Sequence, residues 1–372
     1  HTHLPMTLMR GYGGGCDLHT WLNQYIFPAE ARLDSRAVAA GTGLGLAEMI
    51  ASGVTCVADM YMHTGTIAEQ ILEAGISANL SCGGVYFGAP EDFSPETCGD
   101  CRNQAALTEE WHGAGAGQIL VDASVHGEYT SNPPLWRWMA EYAAEHRLGM
   151  HVHVSETQSE HQASLERWGK TPIQALDGCG VWDCGRSLAA HCVYTTEEDW
   201  ALMAEKGISC VHNPWSNLKL GSGVAPIPAM MRAGVNVALG TDGMSSHNSA
   251  DLFSDIKLAA VLHNGVERDP MAVNAWAALE MATVNGARAL GRDTGVIAPG
   301  KTADLILVDL SAPNLIPCHD PVEDLVFSAH GSNVEMNMAR GQVIYEKGSF
   351  LTLDLERVRW EVEHYALPLI FG

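Results

Sequence analysis

The chain predicts a (β/α)8 TIM barrel with a small β-sandwich domain formed by the chain ends. Two observations carry this. Short apolar, β-branched-rich runs alternate with helix-like segments eight times before residue 265, the pattern of a closed parallel barrel. Polar residues, most of them histidines, stand at the C-terminal ends of at least six of those runs, where such barrels carry their chemistry.

The first run is the end of a strand at His1-Thr2-His3. The others are 54–59, 76–83, 119–126, 148–154, 188–193, 208–213 and 235–242. Between them lie helix-like segments at 35–52, 66–74, 134–146, 157–168, 196–206, 226–233 and 251–263. Gly53, Gly75, Gly207 and Gly234 stand just before the next strand, the expected helix stop. The first strand-to-helix connection is long and carries Trp21 and Glu30; loops of that length are usually lids. The barrel is expected over 1–290 and a small β-domain over 291–353, with a helix or tail over 354–372. A metal-binding strand at a free chain end would fray, so residues upstream of His1 are expected to complete the first strand and the small domain.

Composition narrows the function. Hydrophobic residues make up 47% of the 372, enough for a large core. The formal charge of −23, from 21 basic and 44 acidic residues, argues against nucleic acid and anionic membrane as partners. No apolar run is long enough to span a bilayer, and no signal peptide is evident. Ten cysteines without short, even spacing suit reduced thiols in the cytoplasm. Cys98-Gly-Asp-Cys101 and the Cys179/Cys184 pair leave a structural zinc or a redox pair open beside free cysteines in loops.

In a strand, residues i and i+2 share a face, so His1 and His3 present two imidazoles side by side. Strand four ends in His126, strand five in His151-Val-His153 with Glu156 beyond, and strand six near His191. Strand seven ends in His212-Asn213 and strand eight in Gly240-Thr-Asp242. His1, His3, His153 and Asp242 offer three nitrogens and one carboxylate, a set for one Zn²⁺ or Fe²⁺ with a water. Such a metal brings the pKa of its water toward about 7. Glu156 is the candidate for proton transfer, His191 for orienting the water, and Asp242 for ligation and proton acceptance. His151, one layer deeper, suits a supporting role. Strand four holds no lysine to bridge two metals, so one metal is expected.

These residues resemble the amidohydrolase superfamily, in its mononuclear aminohydrolase branch. The segments 21–30, 54–61, 152–157, 188–191, 211–217 and 299–304 are similar to the 5-methylthioadenosine/S-adenosylhomocysteine deaminase family over nearly the whole chain. The resemblance implies hydrolytic deamination of an adenosine derivative to the inosine product plus ammonia, with Glu156 protonating N1 of the purine. It implies that Glu30 binds the ribose hydroxyls, that His126 and Arg102 contact the sugar or its 5′ substituent, and that Trp21 lines that pocket. A homo-oligomer is left open. His247, in Ser245-Ser-His-Asn-Ser249, departs from the small or amide residue expected there. The rival readings are a guanine, pterin or cytosine deaminase or a triazine hydrolase on the same scaffold, and an inactive barrel acting as a binding protein. Asp242 and Glu30 favour deamination of a ribose-bearing substrate over these.

Overall fold

The structure, a computed structural model, describes residues 1–372. Nine parallel strands follow one another around a curled sheet in the order β8-β7-β6-β5-β4-β3-β2-β1-β9. They are β1 (Thr2–His3), β2 (Cys56–Met60), β3 (Ser77–Ser81), β4 (Ile119–Gly127), β5 (Gly149–Val154), β6 (Ser187–His191), β7 (Ile208–His212), β8 (Val237–Leu239) and β9 (Asp242–Gly243). Strands β3, β5, β6 and β7 are buried along their whole length, as expected where helices cover both ends of the alternation. Each expected run is a strand, with no edge moved by more than three residues.

The ring closes only at its C-terminal rim. There β1 pairs with β2 on one side and with β9 on the other, through Thr2↔Asp59 and Thr2↔Asp242. Below that rim, Cys56 and Ala58 of β2 face Ala238 and Leu239 of β8 across an apolar cavity of about 610 Å³.

The barrel helices begin and end on local chemistry. Asp34 accepts from Ala37 N at 2.9 Å to cap Ser35–Ala51, and Thr196 and Asp199 form a reciprocal capping box for Glu197–Lys206. Gly75, Gly169 and Gly207 close their helices in the left-handed conformation. Ser35–Ala51 is unusual in its glycines. A methyl on Gly41 would stand 2.7 Å from the Pro5 carbonyl oxygen, and one on Gly45 would stand 3.0 Å from that of Leu4. The short 3₁₀ turn Leu4–Met9, which follows directly on His3, therefore lies against bare helix backbone.

Two segments differ from expectation. The long first connection is largely helical: after Leu4–Met9 it forms Leu18–Trp21, a π turn over Leu22–Ile26 and Phe27–Glu30, capped by Asp17. The stretch around Cys98 opens a helix, Gly99–Trp111, whose mixed sequence shows no clear apolar stripe. All ten cysteines are free; Cys101 is buried on this helix, and Cys98, also buried, stands just before it.

Beyond the barrel, β10 (Leu305–Val308), β11 (Val334–Ala339), β12 (Gln342–Glu346) and β13 (Ser349–Phe350) form one antiparallel sheet of four strands. The small β-domain expected after residue 290 is thus an antiparallel sheet. Asn337 ties it to the barrel by donating to the Ile50 and Val54 carbonyls at 2.9 and 3.0 Å. The terminal helical stretch, Leu355–Glu361, Val362–Ala366 and Leu367–Phe371, packs across Ser35–Ala51 and against the helical first connection.

Candidate active site

Three imidazoles and one carboxylate meet at the C-terminal rim. The His3 Nε2 lies 3.1 Å from Asp242 Oδ1, the His1 Nε2 3.3 Å from the same oxygen, and the His153 Nε2 3.3 Å from His3 Nε2. Four ligands placed about 2.0 Å from a tetrahedral zinc are separated by about 3.3 Å, so these spacings fit one ion. His1 Nε2 is buried without a hydrogen-bond partner, as a nitrogen lone pair reserved for a metal would be.

The other ring nitrogens are accounted for. His3 Nδ1 meets the Met60 carbonyl at 2.5 Å, and His153 Nδ1 meets the His126 carbonyl at 2.8 Å. A carbonyl only accepts, so each Nδ1 carries the proton and each Nε2 is left as a lone pair. His1 Nδ1 lies 2.8 Å from His151 Nε2, and His151 Nδ1 lies 3.2 Å from Ser81 Oγ. His151 therefore holds the His1 ring in register, the supporting role expected of it. Burial and the surrounding imidazoles of His126, His3 and His191 hold His153 well below the usual histidine range, which favours the neutral, ligating form.

Asp242 is held from behind. Ser216 Oγ donates to Oδ2 at 2.5 Å and Ser246 Oγ at 3.0 Å, which leaves Oδ1 facing the imidazoles. Neither serine was singled out from sequence, although Ser216 lies in the 211–217 motif. At Gly240 a methyl would stand 2.5 Å from Asn213 Oδ1 and 2.9 Å from the His1 carbonyl, so the glycine of Gly240-Thr-Asp242 is needed for β8 to pass β1.

Glu156 is buried at the edge of this cluster. Ser222 Oγ donates to its Oε1 at 3.3 Å, and its Oε2 lies 3.9 Å from His191 Nε2. His191 Nδ1 is 2.8 Å from Asn217 Oδ1, which fixes the proton there and turns Nε2 toward Glu156. His191 also falls with His1 and Asp242 in a second group spaced to share a cation. Burial raises the Glu156 carboxyl above its ordinary range, His191 opposing and the Asp242 charge adding to the rise. A carboxyl shifted upward in a buried site suits a group that must carry a proton near neutral pH.

The backbone here is unusual. Ser155, His191, Cys192 and Asp242 have φ of 53°, 75°, 50° and 58°, all in the left-handed region that non-glycine residues avoid. Ser155 follows β5, His191 ends β6 with Cys192 after it, and Asp242 opens β9, so the chain turns sharply at three places on the same rim.

The remaining expected residues divide. Glu30 accepts from the Tyr61 hydroxyl at 2.6 Å, and the Tyr61 ring lies 6.3 Å from that of His3, so Glu30 stands beside the cluster. Burial raises the Glu30 carboxyl, against the hydrogen bond from Tyr61. His126 packs 4.8 Å from the His153 ring, and burial with neighbouring imidazole charge lowers it to about 4. Trp21 is buried in the core beneath the first connection, its indole N–H donating to the Tyr12 carbonyl at 3.3 Å. Arg102 is exposed on Gly99–Trp111 and donates to the Glu96 carbonyl at 2.8 Å; none of its hydrogen bonds or ion pairs reaches the cluster. Of the strand-end histidines, His212 does not join: its Nε2 lies 3.0 Å from that of His263 on Leu252–Glu267. His247 is likewise taken up by Asp255 of that helix, at 2.8 Å.

Known proteins similar to this chain match it over nearly its whole length. The amidohydrolase family matches residues 1–344. A 5-methylthioadenosine/S-adenosylhomocysteine deaminase of Caldanaerobacter subterraneus subsp. tengcongensis is 42% identical, over 100% of this chain and 85% of that protein. A 5′-deoxyadenosine deaminase of Methanosarcina mazei is 39% identical, over 100% of this chain and 84% of that protein. The crystal structure of an adenosine deaminase from Xanthomonas campestris with bound zinc superposes with a TM-score of 0.93 at 33% identity, covering 99% of this chain and 84% of that one.

Proposed function

The chain belongs to the amidohydrolase family, and from that premise we propose that it is a zinc-dependent aminohydrolase that converts an adenosine derivative and water into the inosine product and ammonia. The substrates we propose are 5-methylthioadenosine, S-adenosylhomocysteine, 5′-deoxyadenosine and adenosine, the class named by its relatives. The observation that carries the reading is the spacing of His1, His3, His153 and Asp242, at 3.1–3.3 Å between facing ligand atoms, with Glu156 alongside.

A zinc ion held by those four residues would supply a water acidic enough to react at neutral pH. The protein's own groups do the rest. Glu156 takes a proton from the attacking water and delivers it to N1 of the purine, which makes C6 electrophilic. His191, with its proton fixed on Nδ1 by Asn217, keeps Nε2 turned toward Glu156 and the attacking water. Asp242 takes up the second proton of that water once the C–O bond has formed and returns it to the departing amino nitrogen, so that ammonia leaves and the C6 carbonyl remains. Glu30, paired with Tyr61, receives the ribose hydroxyls, and His126 faces the sugar. Trp21 contributes by packing the first connection that carries Glu30, and Arg102 is left as a contact for the 5′ substituent.

The test is an ammonia-release screen of the zinc-loaded protein over adenosine, 5′-deoxyadenosine, methylthioadenosine, S-adenosylhomocysteine, guanine, cytosine and a triazine. Release from the adenosine compounds alone is expected. Turnover confined to guanine, cytosine or the triazine would replace this reading with one of its rivals. Substoichiometric zinc without turnover would leave an inactive barrel.

A further inference from the structure

Glu156 reaches the site from a turn that is sterically costly. Ser155, the residue before it, has φ of 53°, and both residues are buried where β5 gives way to Gln158–Trp168. A buried turn of this kind needs acceptors for its amides. One side chain supplies both. Glu160 Oε1 accepts from Ser155 N at 2.7 Å and Oε2 accepts from Glu156 N at 2.7 Å. Glu160 is itself 6% exposed, and its own amide is held by Thr157 Oγ1 at 3.1 Å. A glutamate in the third helical position ordinarily reaches back to the cap residue's amide. Here it reaches past Thr157 to the two residues before it.

We propose that Glu160 is a positioning residue for the reaction: its two carboxylate oxygens clasp consecutive amides and fix the turn that aims Glu156 at the substrate. This rests on the deamination reading for its kinetic consequence, though not for its structural one. The charge matters as well as the shape. Two amides donate, so both partner atoms must accept, and only the ionised carboxylate offers two acceptors at that spacing. A glutamine of the same size turns an NH₂ toward one of the amides. Burial pushes the Glu160 carboxyl up to about 7, while the two backbone donors favour its ionised form.

The experiment is a double-mutant cycle on the zinc-loaded protein. Glu160→Gln is expected to keep zinc and fold, and to lower kcat by about 10- to 100-fold with KM changed by less than about threefold, the size of effect that a small misplacement of a reacting group produces. In a Glu156→Gln background the same substitution should lower kcat by less than about twofold, because the group it aims is already disabled. Equal losses in both backgrounds, or a loss confined to KM, overturn the proposal. If Glu160→Gln does not fold, Glu160→Asp takes its place in the cycle, since it keeps the charge but draws the oxygens back from the amides. Hydrogen exchange reads the clasp without any turnover. The Ser155 and Glu156 amides should exchange at least about tenfold faster in either variant while those of β5 stay protected. Unchanged exchange there overturns the clasp whatever the enzyme acts on, whereas an inactive parent protein with released amides refutes the function and leaves the clasp standing.

Discussion

The two ends of the barrel solve opposite problems with similar residues. At the N-terminal end the charges of Asp122, Arg186 and Arg292 are answered. Asp122 of β4 accepts from both Arg186 Nη atoms and from Asn79 Nδ2 at 2.9 Å, and Arg292 donates to Asn79 Oδ1 and to three carbonyls. At the C-terminal rim, acceptors face acceptors. Three imidazole nitrogens and a carboxylate oxygen point at one another, His1 Nε2 has no donor, and four residues sit at left-handed φ. The difference teaches where this fold keeps stability and where it keeps reactivity. A satisfied network rigidifies, while a cluster of lone pairs is tolerable only if a cation completes it.

Substitutions at the two ends should therefore separate activity from stability. The largest effect on activity is expected from Asp242→Ala, which removes a ligand and leaves Ser216 and Ser246 without their acceptor. Zinc measured after dialysis should fall well below one per chain, and turnover should drop beyond the effect of any change around it. Glu156→Gln comes next. It should retain zinc and lose about 10²–10⁴ in kcat, as removal of a general acid–base group does; near-normal turnover would remove Glu156 from its role. Glu30→Ala should cost about 10–100-fold in kcat/KM for nucleosides, the worth of one or two hydrogen bonds to a charged acceptor, and much less for free adenine. Equal losses for both would detach Glu30 from the ribose. The smallest effect on turnover is expected at the other end. Arg186→Ala strips the partner from the 1%-exposed side chain of Asp122 and should cost about 3 kcal/mol in denaturant unfolding. Its kcat per folded molecule should stay within about twofold of the parent. A tenfold fall there would break the division between the ends.

The sequence makes the strands and the candidate metal ligands legible because both follow a rule of period two. His1 and His3 share a face, as do His151 and His153, and β-branched runs mark the strands around them. What stays hidden is hidden for physical reasons. Ser155, His191 and Asp242 adopt a conformation that their side chains disfavour, so no propensity signals those turns. His212 obeys the strand-end pattern and yet faces His263, because a strand-end residue has two faces and sequence alone does not say which one the helix covers. Gly99–Trp111 lacks an apolar stripe, and its opening Cys-Gly-Asp reads as a loop. Glu160 carries no motif by itself; its role exists only because a turn brings two amides to it.

Two positions with no side chain also govern where the opening imidazoles stand. Gly41 and Gly45 lie one helical turn apart beneath the segment leaving His3, and each gives up about 1 kcal/mol of helix propensity relative to alanine. Alanine at either place would strengthen the isolated helix and lift the first strand away from β2 and β9. Both nitrogens would then shift together, as a unit, relative to His153 and Asp242. The spacing of the candidate ligands is thus set partly by hydrogen atoms on a helix that lies outside the cluster.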